Sequence, residues 1–552
     1  MTDILFVSPN LRTSVKDETN GIMILSTILL QNNFTVDIIR HSEIEDYYKD
    51  YGRFVQNLTN AIVEKSPRIV SLYTITTNFH IAVRLASELK KRDSSITVVL
   101  GGPYASLLPV EILECAPEVD YVCVGEGETT IVSFVSSILN GDFDTLYNVP
   151  GLCYRKDGQI IRNPAPAQLE DLDSVPMWDD RLYLDSYIID DTHAMSLEVG
   201  RGCPFRCKFC STSICWERNY RLKSPQRVLS DILYFYKRFG YKKYVLCHDA
   251  LTADVKRMEQ LCDEIIKADL GLRLGCSSRA DCLPPKLIDK MQKAGFVHLQ
   301  IGVETGSERM QKLVNKNLDL AKVRETVKVL LERHFNPQLF FIYGFPEETP
   351  QDLNDTLNMV FDFNDMGARS ADLRFYKFSP KTEMCEQFID RLYCDEELLK
   401  RESVRYFGLY EELDLVRNNK KMFTNLYNMH TQVRDEYVGV INLHRLYLRF
   451  PKSAPRIRKM LYKNDCLKMF HDYEAHNPQL QGLSGAALTA AFKRDDLQIM
   501  LRTIKEFKSL KALWIRWMLR AEKRQIRRKA NPPIKRIIRF SKRVVKKILK
   551  MK

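Results

Sequence analysis

No run of eighteen or more uninterrupted apolar residues occurs in the sequence, so no segment reads as a membrane-spanning helix. The start, Met1 to Ser8, lacks a basic stretch leading into an apolar one, so no export signal is expected and a cytoplasmic chain is. No internal repeat recurs at solenoid periods. The 14 cysteines are scattered over 552 residues, which excludes the dense disulfide framework of a short secreted domain and favours reduced thiols. Cys115, Cys123, Cys153, Cys262, Cys276 and Cys466 stand in apolar or helical contexts and read as small buried hydrophobes. Acidic residues are missing from the end alone: Lys523 to Lys552 holds 14 Lys or Arg and no Asp or Glu. Removing those 14 from the net charge of +13 leaves about −1 for residues 1–522. The basicity therefore belongs to a tail, and nucleic acid is not an expected partner of the body.

What is present is a long alternation of strands and helices. With 45% hydrophobic residues, the chain has enough apolar side chains for several cores. Asp3 to Val7, Thr35 to Ile39, Ile69 to Tyr73, Thr97 to Leu100 and Tyr121 to Val124 are short, β-branched and almost wholly apolar, as strands buried on both faces of a parallel sheet are. Helical spacing between them predicts an α/β fold with a doubly wound, Rossmann-like sheet over residues 1–150. Residues 151–190, with Asn163-Pro164-Ala165-Pro166, read as a linker. A second series follows over 191–380, with strands at Met195 to Gly200, Lys243 to Cys247, Gly271 to Cys276, Val297 to Val303, Gln338 to Tyr343 and Asp372 to Phe378. Six βα units fall short of the eight of a closed barrel and predict an open, partial one. Residues 381–522 turn helical, and 523–552 form the basic tail.

Directly after the first strand of the second series comes Gly202-Cys203-Pro-Phe-Arg-Cys207-Lys-Phe-Cys210, three thiols within eight residues. Three thiolates satisfy three irons of a four-iron, four-sulfur cubane and leave the fourth open to a chelating ligand. Structural zinc takes four ligands, usually in paired clusters, and no second pair follows; Cys215, beside Trp216, reads as a packing residue.

The Cys-x-x-x-Cys-x-x-Cys loop, with Phe209 before its last cysteine, resembles that of the radical S-adenosylmethionine superfamily. The resemblance extends over about Met195 to Phe378 and implies a partial (βα)6 barrel. It also implies that the open iron binds the amino and carboxylate groups of S-adenosylmethionine, whose reductive cleavage yields a 5′-deoxyadenosyl radical. An electron donor such as flavodoxin or ferredoxin is implied as a partner. The family places cofactor contacts at strand ends, which here carry Asp249, then Ser277, Ser278 and Arg279, then Glu304 in Gly302-Val-Glu-Thr-Gly306, then Gly344 in Tyr343-Gly344-Phe-Pro346. The usual Gly-Gly-Glu at the second strand is absent, Leu246-Cys-His-Asp249 standing in its place.

In the first series the strand ends carry Ser71-Leu-Tyr-Thr74, Gly101-Gly102-Pro-Tyr104-Ala-Ser106 and Gly125-Glu126-Gly127-Glu128. Such ends face the ligand crevice of an open parallel sheet. Ahead of a radical domain they resemble the cobalamin-binding domain of the cobalamin-dependent radical S-adenosylmethionine class, which implies contacts from Ser71, Thr74, Gly101, Gly102, Tyr104, Glu126 and Gly127. No Asp-x-His-x-x-Gly occurs, so cobalamin is expected without a histidine on cobalt; relatives often have His where Tyr104 stands. A domain that keeps the fold but not the corrin is the alternative.

Three functions follow. The first is methyl transfer to an unactivated carbon or phosphorus of a natural-product, peptide or lipid-type substrate. The second is a radical cyclisation, ring contraction or rearrangement with non-methylating cobalamin; the third is a non-enzymatic cobalamin and cluster redox sensor. Methylthiolation of transfer RNA would call for a second set of cluster cysteines, and Cys115, Cys123 and Cys153 are too dispersed. The residues that carry catalysis are not assigned by these patterns. Tyr406, Tyr410, Tyr427, His430, His444 and Tyr447 are pocket candidates whose expected role is packing. Beyond Pro532-Pro533, Ile534, Ile537, Ile538, Val544, Val545, Ile548 and Leu549 alternate with Lys and Arg in a pattern that predicts a basic amphipathic helix suited to peripheral contact with an anionic membrane.

Overall fold

A computed structural model describes residues 2–8, 19–183, 194–368, 370–396, 399, 406–480 and 485–530. The expected tail helix from Ile534 onward lies outside the described residues.

The first sheet contains β1 (Thr2–Ser8), β2 (Val36–Arg40), β3 (Pro67–Tyr73), β4 (Thr97–Gly101), β5 (Tyr121–Cys123), β6 (Leu152–Lys156) and β7 (Gln159–Arg162) in the order β2-β1-β3-β4-β5-β6-β7. The first five strands are parallel, with Ile4 opposite both Val36 and Ile69, and Val99 opposite Tyr121. Ile4, Phe6, Ile69 and Val99 pack under Ile22 and Leu29 of the helix Asn20–Gln31 and Phe134 and Val135 of the helix Ile131–Asn140. Each such fully buried side chain contributes about 1.5–3 kcal/mol.

The structure corrects one boundary. The segment expected to be a linker from residue 151 opens with β6 and β7, an antiparallel hairpin that extends the first sheet. Its turn is Asp157-Gly158, both at positive φ (52° and 76°), the two-residue hairpin turn that matches strand twist. The Pro-rich run behind it masked that signal.

The second sheet is built from β8 (Met195–Glu198), β11 (Lys243–Cys247), β12 (Arg273–Ser278), β13 (Phe296–Glu304), β14 (Asn336–Tyr343) and β15 (Ser370–Phe375) in the order β15-β14-β13-β12-β11-β8. Six strands in sequential order, with a helix after each crossover, form the open partial barrel. Between β8 and β11, β9 (Gly200–Arg201) and β10 (Arg221–Leu222) pair as a short antiparallel ribbon.

By compactness the chain divides into two units: Met1–Val303, Gln311–Leu339 and Tyr376–His430 form the first, and Glu304–Met310, Phe340–Phe375 and Thr431–Lys552 the second. In the second, the helices Val440–Tyr447, Cys466–Ala475, Gly485–Thr503 and Leu510–Ala530 make the helical C-terminal region. No described helix is long and apolar enough to cross a membrane. Of the six pocket candidates, Tyr406, Tyr427, His444 and Tyr447 are buried, Tyr410 is exposed, and His430 stacks on Tyr393 with ring centres 4.2 Å apart.

Candidate functional site

Cys203, Cys207 and Cys210 are all half-buried on the loop between β9 and β10, whose pairing fixes both ends of the loop. Gly202 is needed at its entry: φ is +84° and a Cβ there would lie 1.7 Å from the Asn219 carbonyl oxygen. Farther along, the Lys208 N–H donates to the Val314 carbonyl (3.0 Å) and Asn315 Nδ2 donates to the Arg206 carbonyl (2.7 Å). Burial pushes the Cys203 thiol above its ordinary value; the Phe205 backbone N–H opposes this, while Cys210 and Asp249 add to it. Such a setting disfavours a bare Cys203 thiolate and gains from a cationic centre beside it. Among the described residues no three His, Cys, Asp or Glu side chains are grouped as a single metal ion requires, whereas a cubane takes each thiolate at a different iron. The donor set fits that cluster. Phe209 is half-buried beside Cys210, and Cys215, close enough to Cys210 for the two thiols to interact electrostatically, has its sulfur 4.0 Å from the Pro103 carbonyl and its thiol pushed up to about 12 chiefly by burial.

The other sequence-predicted residues stand at strand ends. Asp249 follows β11 and accepts from Thr212 Oγ1 (3.4 Å); desolvation by the surrounding protein holds its carboxyl above the usual range against that bond. Ser277 Oγ donates to Gln300 Oε1 (3.2 Å), and Ser278 is bonded to Thr252. Arg279 is buried in a brace: it grips Asp281 through two bonds of 3.0 and 2.8 Å, donates to the Lys316 carbonyl (2.9 Å), and lies 3.8 Å over the Phe205 ring inside the cysteine loop. In the second unit, Glu304 is buried with φ at +71°, a left-handed conformation that costs of order 1–3 kcal/mol in a residue with a side chain. Gly344 donates to Glu348 and its carbonyl accepts from buried Arg434 (2.6 Å). Burial raises the Glu348 carboxyl to about 8.

In the first sheet, three strand-end loops are stitched together. Thr74 Oγ1 donates to the Gly101 carbonyl (2.8 Å) and accepts from the Ala105 N–H (3.0 Å). Ser106 Oγ donates to the Gly102 carbonyl (3.0 Å) and accepts from the Gly125 N–H (3.1 Å). Ser71 is half-buried on β3, and Gly127 closes against Leu25. A Cβ at Gly101 would meet nothing within 4 Å, so a ligand can approach the backbone closely at this point. Tyr104 is buried, its hydroxyl donating to the Met422 carbonyl and lying 3.1 Å from Asn425 Oδ1. Residues 1–150 hold two histidines, His41 and His80, and both are buried. His41 packs edge-on against Tyr47 and Phe54, and His80 Nε2 is bonded to the Phe407 carbonyl (2.8 Å). The shelf fits a corrin approached without imidazole.

Glu126 has a firm set of partners. Its carboxylate accepts from Arg221 at 2.6 and 3.1 Å and from the Leu169 N–H at 2.8 Å, and lies 3.1 Å from Arg201. Arg201 also pairs with Glu128 (2.5 Å) and Glu198 (2.9 Å). Burial alone would push the Glu126 carboxyl up, but these bonds and charges outweigh it and hold it below its ordinary range. Arg201 and Arg221 are partners across the ribbon that frames the cysteine loop. Thus Glu126 of the first sheet grips both legs of that loop. The sequence offered no sign of Arg221; Arg201, next to Gly202-Cys203, at least stood beside a motif.

Comparison with known proteins agrees with this architecture. The B12 binding domain model matches residues 15–135 and the radical SAM superfamily model matches residues 197–360. The chain is 28% identical over 374 residues to the anaerobic magnesium-protoporphyrin IX monomethyl ester cyclase of Rubrivivax gelatinosus, covering 65% of this chain and 66% of that one. It is 23% identical over 344 residues to the cobalamin-dependent radical SAM methyltransferase TokK of Streptomyces tokunonensis, covering 58% and 48%. The aligned segments thus span about half to two thirds of these relatives' own lengths. Among solved structures, the cobalamin-dependent S-adenosylmethionine radical enzyme OxsB with aqua-cobalamin bound superimposes with a TM-score of 0.61 at 14% identity, covering 95% of this chain and 80% of that one, which establishes the fold. With a B12 binding domain placed ahead of a radical SAM domain, the chain belongs to the cobalamin-dependent radical SAM enzymes.

Proposed function

We propose that the protein is a methyltransferase that delivers a methyl group to an unactivated carbon or phosphorus of a natural-product, peptide or lipid-type substrate. The observation that carries this reading is the Glu126 grip on Arg201 and Arg221, which ties the cobalamin shelf to the ribbon framing the cysteine triad. When bound, the cluster with S-adenosylmethionine supplies a hydrogen-abstracting radical, and cobalamin supplies a methyl carrier. The chain's own part is placement. Cys203, Cys207 and Cys210 hold three irons, Arg279 braces the loop through Phe205, and Asp249 offers a carboxylate for the cofactor's amino group. Phe209, Ser277, Glu304 and Gly344 are proposed as further cofactor contacts, and Ser71, Thr74, Gly101, Gly102, Tyr104 and Gly127 as the shelf beneath the corrin. Glu126 is proposed to act there through its arginines. A flavodoxin or ferredoxin is the proposed electron donor, and the basic tail the proposed contact with anionic membranes.

Product analysis tests the reaction. Methylated product, S-adenosylhomocysteine and 5′-deoxyadenosine formed together support methyl transfer. Deoxyadenosine without homocysteine would move the assignment to radical cyclisation, a reading favoured by the cyclase relative. Neither product would leave a non-enzymatic sensor. A separate expectation concerns cobalt: with His41 and His80 buried and engaged elsewhere, the cobalt(II) spectrum of the loaded protein shows no nitrogen splitting from histidine. Observed nitrogen coupling would overturn the proposed shelf.

A further inference from the structure

The helix Leu510–Ala530 buries one face and leaves an apolar one bare. Ala512, Ile515 and Leu519 are fully buried, whereas Leu510, Leu513, Trp514 and Trp517 are 84%, 53%, 46% and 60% exposed. These four recur at helical spacing and form one stripe. The helix is held firmly in that orientation. Arg516 donates to the carbonyls of Ile504, Lys505 and Phe507 at 2.8–3.0 Å, and Lys523 is paired with buried Asp496. Glu522, the sole acid of the helix, faces inward and accepts from the backbone N–H groups of Lys452 (2.8 Å) and Ser453 (2.9 Å). Among the described side chains of the helix, the exposed charges are cations, Lys511, Arg520 and Arg524, and Arg456 lies 5.9 Å over the Trp514 ring.

We propose that this Trp-Leu stripe docks on an anionic lipid surface, the indoles seated at headgroup level and the flanking cations against lipid phosphate. Tryptophan, with an apolar body and a polar N–H, suits that interface, and each nearby Lys or Arg contributes on the order of 1 kcal/mol. Charge complementarity chooses this occupant over a second copy of the chain, since two such faces would set cations against cations. The assignment deepens the membrane contact proposed above by giving it a second element, ahead of the amphipathic segment that begins at Ile534 and independent of the reaction.

The test mixes the full chain at low salt with vesicles of phosphatidylcholine plus phosphatidylglycerol, or of phosphatidylcholine alone, and reads co-sedimentation and tryptophan emission. Two of the four tryptophans, Trp178 and Trp216, are buried or half-buried, so a blue shift on binding reports mainly Trp514 and Trp517. The expected result is a shift with the anionic vesicles only. The double variant Trp514→Ser, Trp517→Ser loses the shift and weakens partitioning by at least about tenfold. Deleting residues 534–552 weakens binding but keeps the shift. The proposal falls if the double variant sediments like the parent, or if the deletion alone removes both binding and shift. It also falls if the variant changes only the sedimentation-velocity mass, which would give the face to a second copy.

Discussion

Replacing Cys203, Cys207 or Cys210 by Ala removes the cluster and brings cleavage of S-adenosylmethionine to background, while Cys215→Ala keeps both. A cubane held at three corners has no spare protein ligand, so each thiol is indispensable. Cys215, whose sulfur lies against the Pro103 carbonyl, holds no corner. The three thiols are half-buried on a loop rather than in a core, so the change in folding stability of the metal-free chain stays within about 1 kcal/mol. Iron content and the electron paramagnetic resonance of the reduced, reconstituted variants check the outcome. A triad variant with full iron content and activity would refute the assignment.

The second large effect is on stability. Glu126→Ala leaves Arg221 buried with, among the described residues, the Leu169 carbonyl as its remaining acceptor, and breaking a buried pair in this way costs about 3–5 kcal/mol. Arg201 suffers less, because Glu128 and Glu198 remain to it. The double change Glu126→Leu, Arg221→Met, which removes both charges, recovers most of the loss. The native carboxyl sits below its ordinary range, so its share of stability is present above the unfolded value near 4.5 and fades as pH falls through the folded one. Denaturant melts of the parent against Glu126→Ala, at neutral and at acid pH, measure this directly. A loss below about 1 kcal/mol at neutral pH would show that the carboxylate does not hold the ribbon.

The strands were legible because buried parallel sheets write themselves as unbroken apolar runs. Lys243–Cys247 is read from sequence without error, and the other second-series strands within a few residues. The cysteine triad was legible for a different reason, since its chemistry depends on spacing along a single loop. Glu126 was legible only as part of a Gly-Glu-Gly-Glu segment. Its partner Arg221 lies 95 residues away, and no local pattern ties two residues that meet only when separate sheets pack. The β6–β7 hairpin was carried by Asp157-Gly158 and lost beneath the Pro-rich run that follows. Glu304's left-handed backbone and Glu348's burial are consequences of tertiary packing and leave no trace in residue order.

Thr74 and Ser106 act together on the strand-end loops of the first sheet. Because they lace the ends of β3 and β4 to Gly125 beyond β5 through the protein's own bonds, the entropy of arranging those loops is paid when the chain folds. A corrin held at the proposed Gly101 shelf would meet loops already ordered, so its affinity would carry no cost of loop ordering.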